Sequence, residues 1–201
     1  MNEIVWFLIF PGLLFTAVVG MLATWVDRKV SARVQYRVGP PWYQPFMDFL
    51  KLLGKETILP RGASRAAFLA APLIGLAGVT LVSTILWVAN LYGKGFLGDL
   101  IVVLYLLALP PLAVIMGGAA SGSPLASLGA SREMKLMLGY ELPFILAVVV
   151  AILKSGNSIA ITGIINSQAQ NGAFLVSISG FIAFIVAILC MQAKLAVVPF
   201  D

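Results

Sequence analysis

Long apolar runs separated by short polar stretches organise this chain. Five runs, residues 4–26, 66–89, 100–118, 136–153 and 174–193, approach the length a helix needs to cross a bilayer core about 30 Å thick. Between the first two, Phe46, Phe49, Leu50 and Leu53 recur at i, i+3, i+4 and i+7, one face of a helix. Asp48, Lys51 and Lys55 fall mostly on the other face. Pro45 suits a first helical position and Gly54 a C-terminal cap, so the pattern predicts a short helix over 45–53 lying in the membrane interface. No internal repeat or low-complexity tract interrupts the series. The expected fold is all-α: a polytopic integral membrane helix bundle of about five transmembrane helices plus a short amphipathic interfacial helix. One membrane domain is expected over 1–201.

Composition agrees. A soluble domain keeps about a quarter of its residues charged, whereas 10% are charged here and 61% are hydrophobic. The first run is not a cleaved signal peptide, since it is too long and follows Glu3 instead of a basic segment. Thirteen basic residues face eight acidic ones, giving +5. They sit between apolar runs, where they report topology and not nucleic-acid binding. The segment 27–65 holds Arg28, Lys29, Arg33, Arg37, Lys51, Lys55, Arg61 and Arg65. The next loop offers Lys94, the third Arg132 and Lys135, the fourth Lys154, and Lys194 follows the last run. This alternation predicts an outside N-terminus, with the first loop, third loop and C-terminus in the cytoplasm.

The donor set excludes resident redox chemistry. There is no histidine and one cysteine, Cys190, whereas iron–sulfur clusters take about four thiolates and zinc sites rest on Cys and His clusters. The methionines fall in apolar runs and read as packing. No catalytic, cofactor-binding or metal-ligating residue is expected on this chain.

Two groups of residues remain as candidates. Glu141 lies inside the fourth run with Pro143 two residues on, which disturbs backbone pairing and can admit water or a polar side chain. Burial penalises a charged carboxylate unless a cation compensates, so Glu141 is a candidate proton relay, the alternative being a structural hydrogen bond. Glu133 precedes it by eight residues, about 12 Å along a helix starting near Ser131, too far for direct transfer but within reach of a water chain. Arg132 and Lys135 favour the charged form of Glu133. The second group begins at Asp27-Arg28-Lys29, with Arg33 and Arg37, and runs into Gly39-Pro40-Pro41-Trp42-Tyr43-Gln44-Pro45. That rigid stretch fixes one backbone path where a plain positive anchor would need only charge.

At these residues the chain resembles a known family. DRKVSARVQYRVGPPWYQPFMDFLKLLGKE looks like the first cytoplasmic loop of the membrane anchor (H, or first) subunit of respiratory complex I. SREMKLMLGYELP resembles that family's fourth-span segment, and IINSQ and the closing VPFD match two further signatures in order. The family includes the counterparts in energy-converting membrane-bound NiFe hydrogenases. The Gly-Pro-Pro-Trp-Tyr-Gln-Pro form is more similar to that hydrogenase branch than to the quinone branch, which tends to show Gly-Pro-Asn. Asp27 stands where a glutamate is common. The family usually continues past Pro-Phe-Asp into a glutamate-rich loop and about three more helices, so the chain is expected to be truncated after that motif.

The resemblance implies a subunit that anchors a peripheral redox arm and couples its electron transfer to proton or sodium translocation in the cell membrane. It places Asp27, Arg28, Arg33, Arg37, Asp48, Lys51 and Glu56 at the interface or cavity, and Arg132, Glu133, Glu141 and Asp201 on the intramembrane acidic path. Implied partners are iron–sulfur and hydrogenase-like peripheral subunits, antiporter-like membrane subunits and the lipid bilayer. Iron–sulfur clusters and a NiFe centre, or a quinone, would lie on or beside those partners. The alternatives are a quinone-site subunit of an NADH or ferredoxin:quinone oxidoreductase, or a structural anchor without an ion path. A stand-alone transporter would show repeats with matched broken helices, which this sequence lacks.

Overall fold

The computed structural model describes residues 3–196 and 200, and every regular element among them is helical. The chain divides into two compact units, Met1–Leu59 and Pro60–Asp201.

The first unit holds α1 (Glu3–Leu8), α2 (Leu13–Val34) and α3 (Gln44–Leu53). Pro11 has no N–H to donate, and a Cβ at Gly12 would collide with the carbonyl of Phe7, so the chain kinks between α1 and α2 on a residue that must be glycine. Together they form one apolar stretch, Val5–Val34. The helix therefore continues past the first apolar run, from residue 26 to Val34. Residues 27–34 contain no helix breaker, and Arg33 in the last turn suits the negative end of the helix dipole. Tyr36 at φ 57° closes the helix, with its N–H bonded to the Arg33 carbonyl at 3.1 Å. The predicted short helix is present as α3, one residue longer at its start, with Pro45 second instead of first. Gly54 ends it in right-handed geometry, at φ −84°.

The second unit holds α4 (Arg65–Tyr92), α5 (Asp99–Ala120), α6 (Pro124–Lys154), α7 (Ile161–Asn171), a 3-10 turn at Phe174–Val176, and α8 (Ile178–Lys194). The Ser64 N–H bonds the Ala120 carbonyl at 3.0 Å, which sets the start of α4 beside the end of α5. Their antiparallel seam is built on small residues, as membrane helix pairs are. A Cβ at Gly78 would meet Leu109 at 2.9 Å, and one at Gly117 would meet Ala71 at 3.2 Å. Pro72, Pro110, Pro111 and Pro143 all sit within continuous helices.

Two helices differ in extent from the apolar runs they carry. The helix with the fourth run starts at Pro124, because Ser123 leaves an extended backbone and Pro124 opens the first turn. The charges of 132–135 therefore ride on a helix that begins before Ser131. The helix with the fifth run starts at Ile178: Ser177 caps it, its Oγ accepting from the Gly180 N–H at 3.2 Å. Among the described residues, four stretches are long and apolar enough to cross a membrane, and α8, at 17 residues, is the shorter apolar helix beside them. Large apolar side chains such as Leu73, Leu138 and Ile178 stay exposed on these helices, as they can where lipid is the solvent. The protein is embedded in a membrane.

Candidate functional site

The polar groups that the fold positions inside apolar surroundings fall at separate places. In the first unit, α2 and the loop after it clasp α3. Trp25 Nε1 donates to the Pro40 carbonyl at 3.1 Å, and Lys29 Nζ to the Gly39 carbonyl at 3.4 Å. Arg28 Nη1 lies 3.3 Å from Asp48 Oδ2, while Gln44 Nε2 donates to Asp48 Oδ1 at 3.1 Å. The rigid Gly-Pro-Pro stretch is therefore folded back along α2. Two predicted residues, Arg28 and Asp48, are brought together. Asp27, Arg33, Arg37, Lys51 and Glu56 stay exposed. The apolar face of α3 is uncovered as well, with Phe49, Leu50 and Leu53 between 48% and 67% exposed.

In the second unit, α6 carries Arg132, Glu133 and Glu141 on one unbroken helix. Glu141 does not face lipid alone. Its Oε2 lies 3.9 Å from Nζ of Lys194, the last residue of α8, and the two side chains are only 22% and 15% exposed. Neither atom has a hydrogen-bond partner among the described residues. The ammonium also sits 5.0 Å from the ring centre of Phe144 and 5.6 Å from that of Tyr140, within cation–π range. The helices α6 and α8 meet here because Tyr140, Cys190 and Ala193 are buried against Leu136, Met137, Phe144, Val186 and Phe200.

Two cavities adjoin this place. One of about 510 Å3 is lined by Lys135, Tyr140, Pro143, Cys190 and Phe200, among others. The other, about 290 Å3, is lined by Arg132, Glu133, Leu136, Ala196 and Phe200. Leu136 and Phe200 line both. Arg132 is exposed and Glu133 half-buried, and neither Arg132 nor Lys135 closes an ion pair with Glu133 among the described residues. Asp201 lies outside the described residues.

Sequence reasoning missed two residues. Lys194 read as a charge beyond the last span. A carboxylate inside a neighbouring span signals that a cation is needed, yet which one depends on how α6 packs on α8. Asp99 was also passed over. Its side chain is fully buried, Oδ1 accepts from the Ile161 N–H at 2.8 Å, and Oδ2 has no partner among the described residues. It caps α7, whose own preceding residue, Ala160, has no side-chain oxygen. Gly98-Asp99 ahead of an apolar run was the available signal. Cys190, the one cysteine of the sequence, is buried between α6 and α8.

Known proteins share this architecture. The family model described as NADH dehydrogenase matches residues 7–201. The chain belongs to the NADH dehydrogenase family. Within it, this NADH dehydrogenase-family chain is similar to H subunits of NADH-quinone oxidoreductases. It is 32% identical over 199 residues to the H subunit of the NADH-quinone oxidoreductase of Aquifex aeolicus (strain VF5), a match that covers 91% of this chain and 59% of that protein. A chain of the membrane-bound sulfane sulfur reductase (MBS), described as an archaeal respiratory membrane complex, superposes with a TM-score of 0.81 at 27% identity. That match covers 90% of this chain and 59% of the other. The NADH dehydrogenase-family chain thus spans about three fifths of the length of both relatives.

Proposed function

We propose that this chain is the membrane-anchoring and coupling subunit of a respiratory complex, in which electron transfer in a docked peripheral arm drives proton or sodium movement through the membrane. The observation that carries the reading is the Glu141 carboxylate, held between α6 and α8 against Lys194 inside apolar surroundings. An ionisable group in a span is costly and is usually retained on an ion path or against a partner. Glu133 and Tyr140 share α6 with Glu141, and Arg132 and Glu133 line the smaller cavity. No step depends on a cofactor of this chain. Electrons stay in the partner subunits, and the chain responds by moving protons and charge.

The first unit suits the docking role. Its basic loop, with Arg33, Arg37 and Lys51 exposed and Arg28 fixed to Asp48, offers positive charge on an ordered frame, which steers a complementary partner. Asp27 and Glu56 would border the same interface. We place this loop in the cytoplasm of a multi-pass cell-membrane protein with its N-terminus outside, from the distribution of Lys and Arg. The partners are iron–sulfur and hydrogenase-like peripheral subunits with antiporter-like membrane subunits. The Gly39-Pro40-Pro41 form favours the hydrogenase or sulfur-reducing branch, and the likeness to the sulfane sulfur reductase chain is in keeping with it. The Aquifex aeolicus relative favours a quinone-linked complex as the second reading.

Two experiments test this. Glu141→Gln in the assembled complex is expected to leave redox turnover and lower the ions moved per electron; full ion movement would remove Glu141 from the path. Purification of the native complex decides the branch: a NiFe large subunit with four cluster-ligating cysteines supports the hydrogenase reading, and a quinone-binding arm replaces it with the second.

A further inference from the structure

The pair of Glu141 and Lys194 is unlike a structural salt bridge. A buried ion pair offsets its desolvation only with close geometry and with hydrogen bonds to the remaining lone pairs and protons. Here the N–O distance is 3.9 Å, beyond hydrogen-bond range, and neither Oε2 nor Nζ has any other hydrogen-bond partner among the described residues. The lysine instead has a second attractor. Tyr140 and Phe144 stand one helical turn apart on either side of Glu141, and both ring centres lie within 5.6 Å of Nζ.

We propose that Lys194 is a counter-ion switch for Glu141. The ammonium is held by the carboxylate while Glu141 is ionised, and it passes to the Phe144 and Tyr140 ring faces when Glu141 takes a proton. This rests on the coupling reading above and gives that site its moving part. The step balances simply: an O–H bond forms on Glu141 with a proton from the path, lysine keeps all three N–H bonds, and no electrons move. The site alternates between neutral and singly positive. A positive charge appearing in a medium of low dielectric repels a cation at the next site, which is how protonation here would be felt further along the membrane.

Lysine suits this work because its charge is compact and its four-carbon stem is flexible. Both attractors lie within its reach. The cavity of about 510 Å3 beside Tyr140 and Cys190 leaves room for side chains to rearrange. The other titratable or charged groups around the pair are few. On α6 they are Arg132, Glu133, Lys135 and Tyr140, and on α8 there is Cys190. On α5 they are Asp99, engaged at the start of α7, and Tyr105, 76% exposed. Among these groups no carboxylate stands close enough to replace Glu141 as the ion-pair partner of Lys194.

The test uses the assembled complex in liposomes, reading redox turnover and ions moved per electron together. Lys194→Met is expected to keep turnover and lower the ion ratio. Lys194→Arg, which keeps the charge and binds ring faces, is expected to rescue most of it. The double variant Tyr140→Leu with Phe144→Leu removes both ring faces and leaves the ion pair, so it is expected to lower the ratio too. If Glu141→Gln uncouples while Lys194→Met or the double ring variant moves ions at the native ratio, the switch is refuted and the coupling reading stands. If Glu141→Gln itself moves ions normally, the coupling reading falls first. Should Lys194→Met fail to assemble, the double ring variant decides alone.

Discussion

The Asp99 carboxylate accepts the backbone N–H of Ile161 at 2.8 Å, joining the first residue of α5 to the first residue of α7 across 62 positions of sequence. A side chain from one helix thereby caps another. Ile161 is buried with Val82, Ala89 and Val103, so the bond fixes α7 against the α4–α5 seam.

Replacing Asp99 with alanine is expected to destabilise the second unit by about 1–2 kcal/mol, the cost of a lost cap. Asp99→Asn should cost less, since an amide oxygen still accepts from Ile161. Thermal unfolding in detergent would show it, and an unchanged midpoint for Asp99→Ala would mean that the bond carries no weight.

The α4–α5 seam gives a paired expectation. Gly78→Ala introduces a Cβ 2.9 Å from Leu109 and is expected to cost about 1–3 kcal/mol through overpacking. Gly129→Ala, on α6, meets nothing within 4 Å and is expected to be neutral or to stabilise by about 0.5–1 kcal/mol. Equal effects at the two sites would contradict the close packing described for α4 and α5.

Removing one member of the central pair should cost more than removing both. Glu141→Ala strands a half-buried ammonium and is expected to destabilise by about 3 kcal/mol. The double variant with Lys194→Met should recover part of that. Additive losses in a double-mutant cycle would show that the two side chains do not sense one another.

The pair of Arg28 and Asp48 is a contrasting case. With side chains 51% and 43% exposed, it is expected to contribute less than about 1 kcal/mol, as surface ion pairs do. Asp48→Asn should leave the unfolding midpoint nearly in place. A marked fall in co-purified peripheral subunits with a stable membrane part would assign Asp48 to docking.

Much of the fold was legible because length and apolarity alone decide a span. The runs at 66–89 and 100–118 fall within α4 and α5, and the periodicity of Phe46, Phe49, Leu50 and Leu53 located α3. The helix ends at Val34 and Pro124 were hidden by charge, since a helix leaving the hydrocarbon continues freely into water through Asp27–Arg33 and through the residues before Ser131. Glu141 was visible as a carboxylate in an apolar run. Its partner was not, because Lys194 is 53 residues on and only the packing of Tyr140 on Cys190 and Ala193 brings the two together. Asp99 escaped because its bond belongs to a helix elsewhere in the chain.

The shortness of α8 has a consequence for the bilayer itself. Seventeen residues rise about 25 Å, less than the roughly 30 Å thickness of a hydrocarbon core. A helix that falls short draws the lipid inward around it, at a cost of fractions of a kcal/mol per ångström. The lipid around α8 would therefore be drawn inward, while Lys194 keeps its place against Glu141 and the Phe144 ring.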